Sequence, residues 1–180
     1  MTLATQPVLG LGDAYGRVAQ DLRVSLTDRC NLRCSYCMPA EGLEWLPGRT
    51  ILTDAEIIRL VRVSVELLGV HTVRFTGGEP LLRPGLARIV AAVREFTTHL
   101  GTPPEIALTT NGIGLDRRID ELRAAGLQRV NVSLDSLDRQ RYAALARRDR
   151  LPEVLAGLVA AEAAGLRPVK VNTVVMRGVN

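Results

Sequence analysis

The chain has 180 residues, 47% of them hydrophobic and only 3% aromatic, which suits one globular domain with an aliphatic-rich core. Its charge of +4 comes from 22 arginines and one lysine against 19 acidic residues. No arginine-rich run is interleaved with aromatics, which argues against a nucleic-acid-binding stripe. No apolar stretch reaches the roughly 20 residues of a membrane span, and the first 20 residues lack a cationic start followed by an apolar run. The expectation is a soluble, cytoplasmic protein without a signal peptide or a membrane partner.

Short apolar strands alternate with amphipathic helices along the chain. Residues 22–27 read as a first strand. Thr53-Asp-Ala-Glu56 has the pattern of a capping box and opens a helix to about residue 68, with Gly69 as its stop. Residues 72–76 are a second strand, ended by Gly77-Gly78. Pro84 opens a helix running to about residue 96. A third strand, 105–109, ends at Asn111-Gly112, and a helix at 116–125 stops at Gly126. A fourth strand at 129–134, a helix at 152–164 stopped by Gly165, and a fifth strand at 169–175 complete the series. The strand–helix order predicts an α/β fold with a parallel sheet and right-handed crossovers, and residues 21–180 read as its core after an amino-terminal segment at 1–20.

Parallel strands covered on both faces usually read as continuous apolar runs. These strands instead alternate: Arg23, Ser25 and Thr27 share one side of the first, Arg74 and Thr76 of the second, Asn131, Ser133 and Asp135 of the fourth, Lys170 and Asn172 of the fifth. If helices cover the other side, these polar faces line the concave interior of an open, partial barrel of five strands. Arg23, Arg74 and Lys170 then converge there. Three cations in an enclosed space call for an anion, and a di- or triphosphate matches them, because arginine meets phosphate oxygens bidentately. The competing reading puts some of these charges at solvent-exposed sheet edges.

All three cysteines fall within eight residues, Cys30-Asn-Leu-Arg-Cys34-Ser-Tyr-Cys37. Structural cysteines scattered by packing would not cluster so, and a disulfide framework needs an even count. A zinc site would need a fourth ligand, for which His71 and His99 are distant candidates; both read more simply as polar residues at element ends. The C-x₃-C-x₂-C spacing lets three thiolates close on one face of a 4Fe–4S cluster, which normally takes four. One iron is then free to chelate a small molecule.

This cysteine segment resembles the signature of the radical S-adenosylmethionine (SAM) superfamily. Within it, the stretch from Leu11-Gly-Asp13 through Leu22-Arg-Val-Ser-Leu-Thr-Asp-Arg-Cys30 to Pro39 is similar to the GTP 3′,8-cyclase family of molybdenum cofactor biosynthesis. Val73-Arg-Phe-Thr-Gly-Gly-Glu-Pro80, Leu108-Thr-Thr-Asn-Gly112, Val130-Asn-Val-Ser-Leu-Asp-Ser136 and Val169-Lys-Val-Asn-Thr-Val-Val-Met176 continue the likeness in family order.

The resemblance implies a partial TIM-like barrel and makes Cys30, Cys34 and Cys37 ligands of one 4Fe–4S cluster. It assigns Tyr36, Gly78, Glu79 and Ser133 to SAM, and Arg23, Arg74, Thr109 and Lys170 to GTP. It implies reductive cleavage of SAM to a 5′-deoxyadenosyl radical that converts GTP to (8S)-3′,8-cyclo-7,8-dihydroguanosine 5′-triphosphate. No catalytic side chain is needed beyond the cluster and SAM. Its partners are GTP and an electron donor such as flavodoxin or ferredoxin, with room for a homodimer. The family pattern goes on to a sixth strand and a second three-cysteine cluster that grips the guanine, neither of which lies in these 180 residues. The expectation is therefore that the chain binds SAM without cyclising GTP efficiently by itself. The alternatives are another radical SAM activity such as peptide modification, and a non-catalytic metal-binding fragment.

Overall fold

The computed structural model describes residues 10–180, so the first nine residues of the amino-terminal segment lie outside the described ones. Residues 11–19 form a small antiparallel hairpin, β1 (Leu11–Gly12) with β2 (Val18–Ala19), in which Leu11 faces Ala19. Asp13 ties its turn: one carboxylate oxygen accepts the backbone N–H groups of Tyr15 (2.8 Å) and Arg17 (3.0 Å), and the other accepts Arg17 Nε at 2.6 Å. No hairpin is foreseen in the sequence reading, because two-residue strands carry no periodicity.

Five parallel strands then form one sheet in chain order, β3 (Asp21–Ser25), β4 (Thr72–Thr76), β5 (Glu105–Thr110), β6 (Arg129–Ser133) and β7 (Val169–Asn172). The sheet is open, with β3 and β7 at its edges. Between the strands run α1 (Asp54–Glu66), α2 (Leu86–Arg94), α3 (Leu115–Ala125), and the pair α4 (Arg139–Ala146) and α5 (Leu151–Ala163). The α/β class, the five parallel strands and the open, partial barrel match the expectation.

The helices bury one face of the sheet. Val73, Phe75, Ile106, Leu108, Val130 and Val132 are fully covered, packed in one cluster with Ile57, Val61 and Val65 of α1, Ile89 and Val93 of α2, Ile119 and Leu122 of α3 and Val154 of α5. Each such side chain contributes about 1.5–3 kcal/mol by leaving water. The capping box at α1 is complete: Thr53 Oγ1 accepts Glu56 N–H at 3.3 Å while Glu56 Oε2 accepts Thr53 N–H at 2.7 Å.

Three elements differ from their sequence reading. α2 starts at Leu86 because Pro80–Leu82 first make a 3₁₀ turn. β7 ends at Asn172 because its partner β6 ends at Ser133 in the facing register. And α4 occupies a stretch with no assigned element, capped by Asp138, whose carboxylate accepts Arg141 N–H at 2.8 Å.

Register fixes which side chains share the uncovered face. Arg23 lies opposite Arg74, and Arg74 opposite Ala107; Thr109 lies opposite Asn131, and Asn131 opposite Lys170; Ser133 lies opposite Asn172. Facing residues in a ladder point to the same side. The polar set therefore lines one surface, as the alternation predicts.

Candidate functional site

The cysteine loop leaves the end of β3 and is hung on other parts of the chain by its backbone. Arg33 N–H donates to Ala146 O (3.1 Å) and Ser35 N–H to Leu145 O (2.8 Å), so the loop satisfies carbonyls at the end of α4 that a helix leaves unpaired. Arg147 ends α4 in the left-handed conformation (φ 52°) and donates Nη1 to Met38 O at 3.0 Å. Inside the loop, Cys34 O accepts the N–H groups of Cys37 (2.9 Å) and Met38 (3.1 Å). Arg33 Nη1 bonds the carbonyls of Cys30 and Leu32, both at 2.8 Å, and its guanidinium lies 5.3 Å from the Trp45 ring centre.

Cys30 and Cys34 are half-buried, Cys37 is exposed, and all three are free thiols. Burial pushes the Cys30 thiol up and the Cys34 thiol up to about 11, and the charges of the neighbouring thiols and of Asp135 reinforce the effect at Cys34. A bound metal centre would take these residues as thiolates and so release protons. Among the described residues no group of three or more His, Cys, Asp or Glu side chains is placed to hold a metal ion. The histidines supply no fourth ligand. His71 directly precedes β4, at the opposite end of the strand from Gly77-Gly78, and its ring centre is 6.3 Å from that of His99.

A cavity of about 200 Å³ opens where the strands end. Cys30, Cys34, Tyr36, Cys37, Gly78, Thr109 and Ser133 all line it, with Leu32, Thr76, Gly77, Thr110 and Asn111. Seven of the residues singled out in the sequence thus meet at one place. Gly78 fits because a methyl there would collide with the carbonyl oxygens of Asp28 and Arg29. Those close contacts are made by design of the backbone: Gly78 N–H donates to Thr27 O and Glu79 N–H to Arg29 O, each at 2.7 Å. A larger cavity of about 750 Å³ lies elsewhere, beside residues 48–54 and 82–88. It holds no thiol, and its Arg83 is committed to Leu26 O, Leu52 O and Asp54.

Glu79 follows Gly78 but is not itself among the residues lining this cavity. The residue is fully buried, and its carboxylate accepts Leu81 N–H (2.9 Å) and Thr110 Oγ1–H (2.7 Å) on Oε1 and Asn111 N–H (2.7 Å) on Oε2. Burial pushes its carboxyl pKa up, and these three donors counter that. Glu79 is a strut between the ends of β4 and β5. Tyr36 keeps its ring partly exposed at the cavity and donates its hydroxyl to Asp135 Oδ2 at 2.6 Å; Asp135 Oδ1 in turn accepts Val174 N–H at 2.9 Å.

Arg23, Arg74 and Lys170 lie on the same face at two levels. Lys170 is in register with Asn131 and Thr109, the latter a lining residue of the cavity, while Arg23 and Arg74 are in register with Ala107, one pleat, about 6.6 Å, further down. Arg74 is half-buried; Arg23 and Lys170, on the edge strands, are exposed. Among the described residues none of the three makes a salt bridge, whereas Arg129, level with Arg74 on the same face, pairs with Glu105. Two site residues escaped the sequence reading as contributors. Asn111 reads there only as a turn residue, and Asp135 only as part of the polar stripe, which was its one available signal.

The family model of the Radical SAM superfamily matches residues 24–180. The chain is 62% identical over 170 residues to the GTP 3′,8-cyclase of Corynebacterium glutamicum, covering 94% of this chain and 45% of that protein. It is 64% identical over 164 residues to GTP 3′,8-cyclase 2 of Mycobacterium tuberculosis, covering 91% and 44%. The chain thus spans about 45% of the length of the curated relatives it matches. Among solved structures, Streptococcus suis SuiB bound to S-adenosylmethionine superposes with a TM-score of 0.66 at 19% identity, over 88% of this chain and 34% of that one. Native anSMEcpe with bound AdoMet gives 0.64 at 19% identity, over 85% and 42%. Likeness at that identity is one of fold.

Proposed function

This chain belongs to the radical SAM superfamily, and from that premise we propose that it is the cluster- and SAM-binding part of a GTP 3′,8-cyclase acting in molybdenum cofactor biosynthesis in the cytoplasm. Cys30, Cys34 and Cys37 each give one thiolate to an iron of a 4Fe–4S cluster. A cluster held by these three thiolates would keep one iron without a protein ligand, open to SAM, and would supply the single electron for the radical chemistry. Tyr36 offers its ring face to the adenine, with its hydroxyl fixed by Asp135. Gly78, closely packed against the Asp28–Arg29 backbone, presents main chain at the cavity wall to the methionine end, and Ser133 adds a hydroxyl from β6. Glu79 acts from behind by holding the Gly77-Gly78 turn against the end of β5.

Arg23, Arg74 and Lys170 bind the triphosphate of GTP, and Thr109, level with Lys170 and lining the cavity, joins the two regions. The substrate's ribose then lies against the cavity, and the chain's task is to hold it in place and keep water out. The electron comes from a small redox protein of the flavodoxin or ferredoxin kind, and the assembly is a homodimer.

One observation carries this reading: three cations that make no salt bridge among the described residues share a strand face with a cavity lined by three thiols. Its test is anaerobic purification with iron and acid-labile sulfide analysis, followed by equilibrium binding of SAM and GTP. The expected result is one four-iron cluster per chain and SAM binding that disappears in Cys30→Ala, Cys34→Ala and Cys37→Ala, because no replacement thiolate exists. Zinc without sulfide in the parent chain, or an undiminished iron content in any of the three variants, overturns it.

A further inference from the structure

Asn111 stands at the end of β5 with only 9% of its surface exposed, and every polar atom near it is accounted for. Its backbone N–H is held by Glu79 Oε2 at 2.7 Å. Its side-chain oxygen accepts Ile113 N–H at 3.0 Å. Because a backbone N–H can only donate, that contact fixes which end of the amide is oxygen, and the NH₂ group must face the other way. There it meets two acceptors: Asn31 Oδ1 at 2.7 Å and Cys30 Sγ at 4.0 Å. The two amide hydrogens match these two acceptors. Cys30 Sγ also receives Leu32 N–H at 3.4 Å.

N–H groups directed at a ligating sulfur stabilise the more negative, reduced form of an iron–sulfur cluster, which raises its potential. We propose that Asn111 is a positioning residue for the Cys30 thiolate, clamped by Glu79 and Ile113 so that its amide aims an N–H at Cys30 Sγ and raises the reduction potential of the cluster held there. The proposal rests on the cluster reading of the three cysteines. It also gives the buried Glu79 a purpose: its carboxylate ties the turn that borders the cavity to the residue that reaches the sulfur.

The experiment compares the loaded full chain with Asn111→Leu, which keeps the volume and removes both donors, and Asn111→Asp, which keeps the shape and replaces donors by charge. Reduced and oxidised cluster are counted by electron paramagnetic resonance at a fixed potential near the parent's midpoint, alongside iron and sulfide content and the thermal midpoint. The reduced-to-oxidised ratio should fall severalfold in Asn111→Leu and up to about tenfold in Asn111→Asp, the latter equal to about 59 mV for a one-electron couple. A purely structural role would lower the thermal midpoint and leave the ratio alone. Asn31→Ala removes the competing acceptor and should raise the ratio; if neither Asn111 variant takes up a cluster, this variant decides, and a ratio unchanged or lowered in it overturns the proposal. A loaded parent with an unmoved ratio in both Asn111 variants sinks this inference alone. A parent that takes up no iron and sulfide sinks it together with the reading it rests on.

Discussion

Two pairs of arginines, Arg83 with Arg118 and Arg23 with Arg74, are used in opposite ways. Arg83 is 89% covered in its side chain and has its donors on Leu26 O, Leu52 O and Asp54, while Arg118 donates to Leu81 O and Arg83 O. On the open side, Arg23 and Arg74 face each other across β3 and β4, and among the described residues neither makes a salt bridge, although Arg129 of the same face pairs with Glu105. A cation that builds structure finds its partner within the chain, because a buried unpaired charge is costly. Two like charges opposite each other in a ladder are destabilising, so their retention is explained by something outside the chain that neutralises them. Side-chain type alone does not separate the two uses.

Several substitutions would break or sharpen that contrast. The largest effect is expected at Arg83→Ala, which leaves the mostly buried Asp54 with Arg88 alone and empties two carbonyls: a loss of about 3 kcal/mol, with the thermal midpoint down by roughly 6–12 °C. GTP affinity in the folded fraction should not change, which calorimetric titration checks. Arg74→Ala should do the reverse. Loss of a charge-assisted contact worth about 1.5–3 kcal/mol weakens GTP binding some tenfold to hundredfold, while the thermal midpoint holds or rises slightly as the Arg23 repulsion is relieved. Unchanged GTP binding in Arg74→Ala would erase the distinction between the two pairs.

Arg23→Ala and Lys170→Ala, on exposed edge strands, should each cost only about 0.5–1 kcal/mol of GTP binding and should be the more salt-sensitive contacts. The smallest effect is one of pH. Burial works to raise the Asp54 carboxyl, but hydrogen bonds from Arg88 and Arg83 outweigh it and hold the group below its usual value of 3.8. A depressed carboxyl lends stability that is complete above the usual value and is lost as pH falls through the lower folded one. The stability gap between the parent and Arg83→Ala should accordingly be constant from neutral pH down to about 4 and narrow below it, as acid-dependent denaturant melts would show.

The sequence by itself determined the strands, most of the helices, the polar face and the cysteine triad. Each of these is written in local spacing: a period of two, a period near 3.6, a capping box at Thr53, three thiols in eight residues. Tertiary structure alone decided three things. α4 escaped notice because its eight residues lack a clear amphipathic stripe; its place is set by Arg33 and Ser35, which bond its last carbonyls from far away in the chain. Glu79 turned inward because β4 and β5 are neighbours, which brings Thr110 Oγ1 and Asn111 N–H to its carboxylate. Asn111 looked like a turn residue until the fold set its amide beside Cys30. Spacing along a chain tells which side a residue faces; which groups meet there depends on contacts between residues about 30 to more than 100 positions apart, and only packing of the whole sheet and its helices makes those.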